Sequence, residues 1–121
     1  MRKGPEQWFL DAHPERGSVR VQVSTERGLF PVEGARVEIY RRLGPEPTVF
    51  YEGVTDASGI AEDIRLPALP AGWSQSAETT GISGTLYQVS VRHPQHGTVE
   101  GRPVTVFPRI ETVLAVSLGA V

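Results

Sequence analysis

Apolar and polar residues alternate along most of the chain, which is the pattern of strands that bury one face. Val19, Val21 and Val23, for example, are separated by Arg20 and Gln22. The same pattern predicts further strands at residues 35–40, 49–54, 60–66, 87–91, 104–106 and 114–118. No segment keeps a helical period, so no crossover helix is available to join parallel strands. The alternation therefore predicts an all-β fold, a seven-stranded antiparallel β-sandwich.

A tight turn is predicted at residues 55–59, between the third and fourth strands. Asp56 is a residue type that accepts hydrogen bonds from the turn backbone, and Gly59 tolerates a positive φ. This turn is expected to close a hairpin whose return strand is 60–66.

The first 16 residues show neither a strand period nor a helix period. Pro5 and Pro14 lie in this leader, and between them is the apolar triplet Trp8, Phe9 and Leu10. Such a triplet is large for a free tail, because exposed apolar clusters are a liability in solution. Two interpretations stay open: the leader folds back on its own domain, or it docks into a neighbouring subunit.

A second irregular segment covers residues 67–84, which are rich in Gly, Pro, Ser, Thr and Ala. It is longer than the loops that compact domains usually carry, and such loops are often functional or mobile. Trp73 is the only large anchor within it. Trp73 is expected either to cover the core or to form a binding interface.

Several of these segments resemble one known family. They are residues 17–23, 31–37, 55–59, 87–94 and 104–112. Together they resemble the carboxypeptidase-regulatory-like or transthyretin-like (prealbumin-like) β-sandwich, in a subgroup common in spore-forming Firmicutes. The resemblance covers about residues 17–119 and implies an Ig-like Greek-key sandwich. The predicted domain is 17–121, and the chain pattern sets residues 1–16 apart as a leader or assembly arm. It implies little about activity, because this fold serves many functions.

Composition excludes several classes of protein. The chain has 121 residues, a formal net charge of −2 and no cysteine, so it has no disulfide and no general attraction to nucleic acid. No apolar run reaches the length of about 18 residues that a membrane-spanning helix needs. Arg2 and Lys3 are not followed by an apolar signal core, so synthesis in the cytoplasm without a cleaved signal peptide is expected.

Two activities of related β-sandwich proteins each require particular residues, and the sequence shows whether those residues are present. Related adhesins form a Lys–Asn isopeptide bond, but here the only lysine is Lys3 and the chain has no asparagine. Transthyretin-like hydrolases of the urate pathway end in a Tyr-Arg-Gly-Ser motif, whereas this chain ends in Ser117–Val121. Neither activity is expected here.

Two possible metal sites have simpler interpretations. His93 and His96, with Tyr87, suggest the iron site of intradiol dioxygenases, but their spacing differs from the His-x-His pattern of that family. Solvated turn histidines are the expected alternative. Asp56, Ser58, Glu62 and Asp63 carry calcium-type oxygen ligands, although the first two have sufficient roles in the turn. No cofactor, no metal and no catalytic residue is predicted.

We therefore expect a non-enzymatic structural subunit that self-assembles into a homo-oligomer or filament through its leader. Trp8, Phe9 and Leu10 would enter a neighbour as a donated strand, giving a fibre, coat or appendage on a spore or cell surface. The alternative is a small adhesion or phage-tail module that contacts a protein or carbohydrate through Trp73 and residues 67–84. A metal-dependent enzyme around His93 and His96 is the third hypothesis.

Overall fold

The computed structural model describes residues 5–25, 28–68 and 84–119. These residues form one short helix and eight strands, arranged in two sheets. The elements in chain order are α1 (Pro5–Ala12), β1 (Glu15–Thr25), β2 (Phe30–Pro31), β3 (Arg36–Arg42), β4 (Pro47–Val54), β5 (Ile60–Ala68), β6 (Thr85–His93), β7 (Gly97–Val106) and β8 (Glu111–Leu118). The predicted all-β sandwich is confirmed, with eight strands in the described residues rather than seven. The two-residue strand β2 has no place in the sequence-based prediction, because two residues are too few to show alternation.

The first sheet is built around β1, which pairs with β2 and β5 antiparallel and with β8 parallel. The second sheet has the order β4-β3-β6-β7, and all of its pairs are antiparallel. The expectation of a wholly antiparallel sandwich is therefore wrong for the pair β1–β8. Parallel neighbours need no crossover helix here, because between β1 and β8 the chain crosses to the second sheet twice, as β3–β4 and as β6–β7.

The core lies between the two sheets and is filled by the inward rows of the strands. In β1, Val19, Val21 and Val23 are all almost wholly buried, as their alternation predicts. Burying each such side chain stabilises the fold by roughly 1.5–3 kcal/mol before chain entropy is counted. Other fully buried large side chains are Tyr87, Ile39, Ile64, Leu66, Leu118, Val37, Val89, Val91 and Val106.

The turn at residues 55–59 joins the two sheets, because β4 belongs to the second sheet and β5 to the first. The expected hairpin is therefore wrong, although the turn chemistry is as predicted. The Asp56 carboxylate accepts hydrogen bonds from the backbone N–H groups of Ser58 (2.9 Å) and Ile60 (3.0 Å). Gly59 has φ +75°, and a Cβ atom there would collide with the carbonyl oxygen of Val23.

A β-bulge interrupts β5 opposite β1, where the register shifts between Val19 and Val21. Asp63 occupies it with φ 61°, a conformation that Asp adopts more readily than most residues. As a result Glu62 and Asp63 are both exposed, while the residues on either side of this pair are buried. Strict strand alternation would put these two adjacent carboxylates on opposite faces, whereas the bulge leaves both exposed.

The leader and the 67–84 segment differ from their predicted limits. Residues Pro5–Ala12 form a helix where no regular period was expected, and β1 already begins at Glu15. Strand β5 continues through Ala68, so residues 67 and 68 belong to the sheet. The remainder of the 67–84 segment, apart from Gly84, lies outside the described residues, and so does Trp73. No helix in the described part of the chain has the length and apolar character needed to cross a membrane.

Candidate functional site

The candidate site is the helix α1 and the end of the sandwich on which it packs. The helix has eight residues, and such a short helix is not stable alone in water. Its termination follows from Pro14, because the residue before a proline is disfavoured in the α conformation. Within the helix, Gln7 Nε2 donates a hydrogen bond to Asp11 Oδ1 at 3.0 Å. Its stability must therefore come mainly from packing against the domain.

Phe9 is the residue that attaches α1 to the sandwich. Its side chain is only 7% exposed and belongs to the same core cluster as the strand residues. Its ring centroid lies 5.5 Å from that of Phe50 on β4 and 6.2 Å from that of Tyr87 on β6. Phe50 and Tyr87 are themselves in an edge-to-face contact at 5.3 Å. These three rings, the aromatic cluster, tie the helix to two strands of the second sheet.

Two basic side chains contact the Phe9 ring. His13 stacks on it with a centroid distance of 3.9 Å and an interplanar angle of 19°. The guanidinium carbon of Arg41 lies 5.1 Å from the ring centroid, in cation–π geometry. The Nδ1 atom of His13 lies 2.7 Å from the carbonyl oxygen of Phe9; because that oxygen can only accept, Nδ1 carries the proton and donates. The leader is thus closed onto its own domain at Phe9.

The surroundings at this end of the sandwich disfavour the charged forms of His13 and Tyr87. Burial lowers the pKa of His13; the hydrogen bond to Phe9 opposes this change, and the positive charge of Arg41 adds to it. Burial raises the pKa of the Tyr87 hydroxyl well above its ordinary value. This hydroxyl donates to the carbonyl oxygen of Pro67 at 2.6 Å, so it is neutral and already occupied. The cluster is suited to packing, with no free base or nucleophile at its centre.

Trp8, next to Phe9 in the helix, has the opposite environment, since its side chain is 66% exposed. Leu10 is partly buried against the core. The three residues predicted to act together as an assembly arm are therefore separated by the structure: Phe9 faces its own core, Leu10 lies at its margin and Trp8 faces outward. The fourth predicted interface residue, Trp73, lies outside the described residues, and the binding hypothesis for residues 67–84 stays a prediction.

The partners of Phe9 were not identified from the sequence. The alternation places Phe50 and Tyr87 in predicted strands, 49–54 and 87–91, but nothing local connects either of them to position 9. They lie 41 and 78 positions further along the chain. Only the fold brings them together, so no sequence signal short of a full strand arrangement could have paired them.

The predicted turn histidines lie together where β6 turns into β7, with His93 as the last residue of β6 and His96 in the turn. Their ring centroids are 4.8 Å apart, and the backbone N–H of Gln95 donates to His93 Nδ1 at 3.1 Å. Tyr87 is not beside them as a ligand, because its hydroxyl is bound to Pro67. Within the described ranges no group of three or more His, Asp or Glu side chains is placed to hold a metal ion. His93 and His96 therefore form a pair without a third ligand among those residues.

Comparisons with known proteins add a likeness in fold. No known protein family and no curated protein matches this chain in sequence. Its structure is similar to that of 5-hydroxyisourate hydrolase from Klebsiella pneumoniae, with a TM-score of 0.47 and 12% identity; the match covers 86% of this chain and 92% of that one. It is also similar to a 9R-lipoxygenase from Cyanothece, with a TM-score of 0.43 and 13% identity. The chain is covered to 98% but spans only 18% of the lipoxygenase. Neither likeness identifies the activity or the family of this chain.

Proposed function

We propose that this domain is a non-enzymatic structural subunit that associates with copies of itself through Trp8. The observation that carries the proposal is the contrast within one helix turn: Phe9 is 7% exposed and Trp8 is 66% exposed. Because Phe9 holds the helix on the core, Trp8 is presented on a rigid support. Large aromatic side chains with few rotatable bonds are the most effective interface anchors, since little entropy is lost when they are buried.

The proposal differs from strand donation by the leader. A donated strand needs an extended segment, whereas Pro5–Ala12 is helical and its central aromatic residue belongs to its own core. Donation would require the helix to unfold and Phe9 to leave the aromatic cluster, at a cost of several kcal/mol. We therefore assign the contact to the outer face of an intact α1.

A second copy of the chain is the proposed partner because an apolar surface lies at the other end of the sandwich. Leu29 and Phe30, adjacent residues at the β1–β2 connection, are 64% and 54% exposed. Helix α1 precedes β1 and this pair follows it, and the 11 residues of β1 extend over about 30 Å. Contact between Trp8 of one copy and Phe30 of the next is head-to-tail. Such contacts propagate into filaments when the rotation between copies does not close a ring.

The non-enzymatic part of the proposal rests on the roles of the candidate catalytic groups. The Asp56 carboxylate caps a turn, the Tyr87 hydroxyl donates to Pro67, and His93 Nδ1 accepts from a backbone N–H. The resemblance to transthyretin-like sandwiches is compatible with a structural role, because a fold does not determine activity. Deposition of the assembly on a spore or cell surface is part of the same proposal.

The test uses two single variants and their mixture. Trp8→Ala and Phe30→Ala should each remain monomeric at concentrations where the unaltered protein grows in mass, as measured by multi-angle light scattering. Mixed together, the two variants should form dimers and nothing larger, because each pair retains one intact Trp8 and one intact Phe30. Val113→Ala, at a residue 52% exposed on β8, is the control and should assemble normally.

Two results would contradict the proposal. The first is an unaltered protein that stays monomeric over the whole concentration range. The second is association that is unchanged in Trp8→Ala, which would show that the contact lies elsewhere on the chain.

A further inference from the structure

A concave surface on the first sheet is lined by three arginines from three different elements. They are Arg16 on β1, Arg65 on β5 and Arg109 in the turn between β7 and β8. Gly17 and Ser18 complete the lining. We call this surface the arginine pocket; it plays no part in the self-association proposed for Trp8.

The backbone holds the three arginines in fixed relation to one another. Ser18 and Arg65 are Cα partners in the β1–β5 pairing. On the other side, the Arg109 N–H donates to the carbonyl oxygen of Arg16 at 2.8 Å, and the Ser18 N–H donates to that of Ile110 at 3.1 Å. The pocket is therefore built on strands and on a turn fastened directly to β1.

The turn between β7 and β8 approaches β1 so closely that only glycine fits at position 17. A Cβ atom on Gly17 would collide with the carbonyl oxygen of Phe107 and with Val106. Arg109 itself has φ 61°, in the left-handed region that residues other than glycine seldom occupy. Residues held in such conformations often lie at functional sites. With this backbone conformation, Arg109 lines the same concave surface as Arg16 and Arg65.

The charges in the pocket are incompletely balanced. Arg109 pairs with Glu15 at 3.5 Å, but its side chain is 83% exposed, so solvent screens the pair and it contributes little. Arg16 and Arg65 form no ion pair with any residue that the structure describes. One further carboxylate adjoins the site, that of Glu111, whose Cα partner on β1 is Ser18. Two arginines in a common concavity are therefore left without a counter-ion from the described chain.

We propose that the arginine pocket binds one tetrahedral oxyanion, a phosphate or sulfate group, either free or as an ester on a larger molecule. Guanidinium groups bind phosphate oxygens through paired N–H donors, and several can surround one tetrahedral anion. A dianion would balance the charges of Arg16 and Arg65, and the Ser18 hydroxyl offers a further donor. A planar monoanion such as acetate matches neither the charge nor the shape.

The binding test titrates the ¹⁵N-labelled full-length protein with inorganic phosphate at constant ionic strength. Saturable shifts of amide signals are expected at residues 16–18, 65 and 109–110, with weaker binding of acetate. A parallel titration with glycerol phosphate distinguishes the source: tighter binding than inorganic phosphate indicates an ester ligand, and equal binding indicates the free anion. Both results support the pocket.

Matched variants connect the binding to the named side chains. Arg65→Gln should weaken phosphate binding roughly tenfold, as loss of one charge-assisted hydrogen-bonded pair predicts. Arg92→Gln removes an equal charge from the outer face of the second sheet and should leave the affinity unchanged. Glu111→Gln should strengthen binding, because it removes the adjoining negative charge. Should Arg65→Gln fold poorly, Arg109→Gln serves the same purpose, since its side chain is largely exposed.

The proposal is overturned if phosphate shifts do not saturate, if they spread over the surface, or if Arg92→Gln weakens binding as much as Arg65→Gln. These results would show general electrostatic attraction without a site. Trp8→Ala should keep its phosphate affinity, so failure of the assembly proposal and failure of this one give different results.

Discussion

Replacing Phe9 with alanine tests whether the leader is part of the folded domain. The substitution removes a ring that is 7% exposed and that contacts Phe50, Tyr87, His13 and Arg41. Phe→Ala changes in protein cores cost about 3–5 kcal/mol of unfolding free energy. The lower end applies here, because Phe9 is on a short helix that can shift or detach and so limit the cavity. We expect a loss of about 3 kcal/mol, equivalent to a fall in Tm of roughly 10 °C for a domain of this size.

Trp8→Ala is the matched control, since it removes a larger aromatic ring from the neighbouring position of the same helix. That ring is 66% exposed, and surface substitutions usually change stability by less than about 0.5 kcal/mol. Both variants are compared with the unaltered protein by guanidinium unfolding, followed by circular dichroism at a concentration low enough to keep the protein monomeric. Equal stabilities of Phe9→Ala and Trp8→Ala would refute the packing argument, and so would a greater loss in Trp8→Ala.

Three further predictions concern the turn, the buried hydroxyl and the histidine. Gly59→Ala should destabilise the fold by more than about 2 kcal/mol in denaturant unfolding, because it adds both strain at positive φ and a backbone collision; Gly97→Ala, at positive φ in open space, should cost clearly less. Tyr87→Phe should cost about 1–3 kcal/mol in the same assay, since the carbonyl oxygen of Pro67 loses its buried donor. The pKa of His13 is lowered in the folded state, so unfolding free energy should decrease as pH falls below about 6.5, where the unfolded chain binds the proton first. That decrease should be smaller in His13→Gln, and an unchanged pH profile in this variant would exclude His13 as its source.

Much of the sandwich could be predicted because every strand except the two-residue β2 is long enough to carry its own signal. The alternation of Val19, Val21 and Val23 predicts which face of β1 is buried, and this prediction does not depend on which strands lie beside β1. Pairing is different, since the alternation of β8 is the same whether it lies parallel or antiparallel to β1. The turn at residues 55–59 shows the same limit: its residues specify the local hydrogen bonds but not whether the next strand stays in the same sheet.

The candidate sites depend on contacts between distant positions and were only partly predictable. Trp8, Phe9 and Leu10 were recognised as a group, but which of them faces inward depends on helix α1, and that helix depends on packing against residues far along the chain. The arginine pocket had no local signal at all. Arg16 and Arg65 become neighbours only through the β1–β5 register, and Arg109 joins them only through the turn that Gly17 admits.

The most direct test of self-association through Trp8 is its own fluorescence. The chain has two tryptophans, so Trp73→Phe leaves Trp8 as the only one. At low concentration its emission should be that of a solvent-exposed indole. It should shift to shorter wavelengths over the same concentration range in which light scattering shows growth in mass. Growth in mass with unchanged Trp8 emission would contradict the assigned contact, and an emission maximum already at short wavelength in the dilute monomer would contradict the exposure on which it rests.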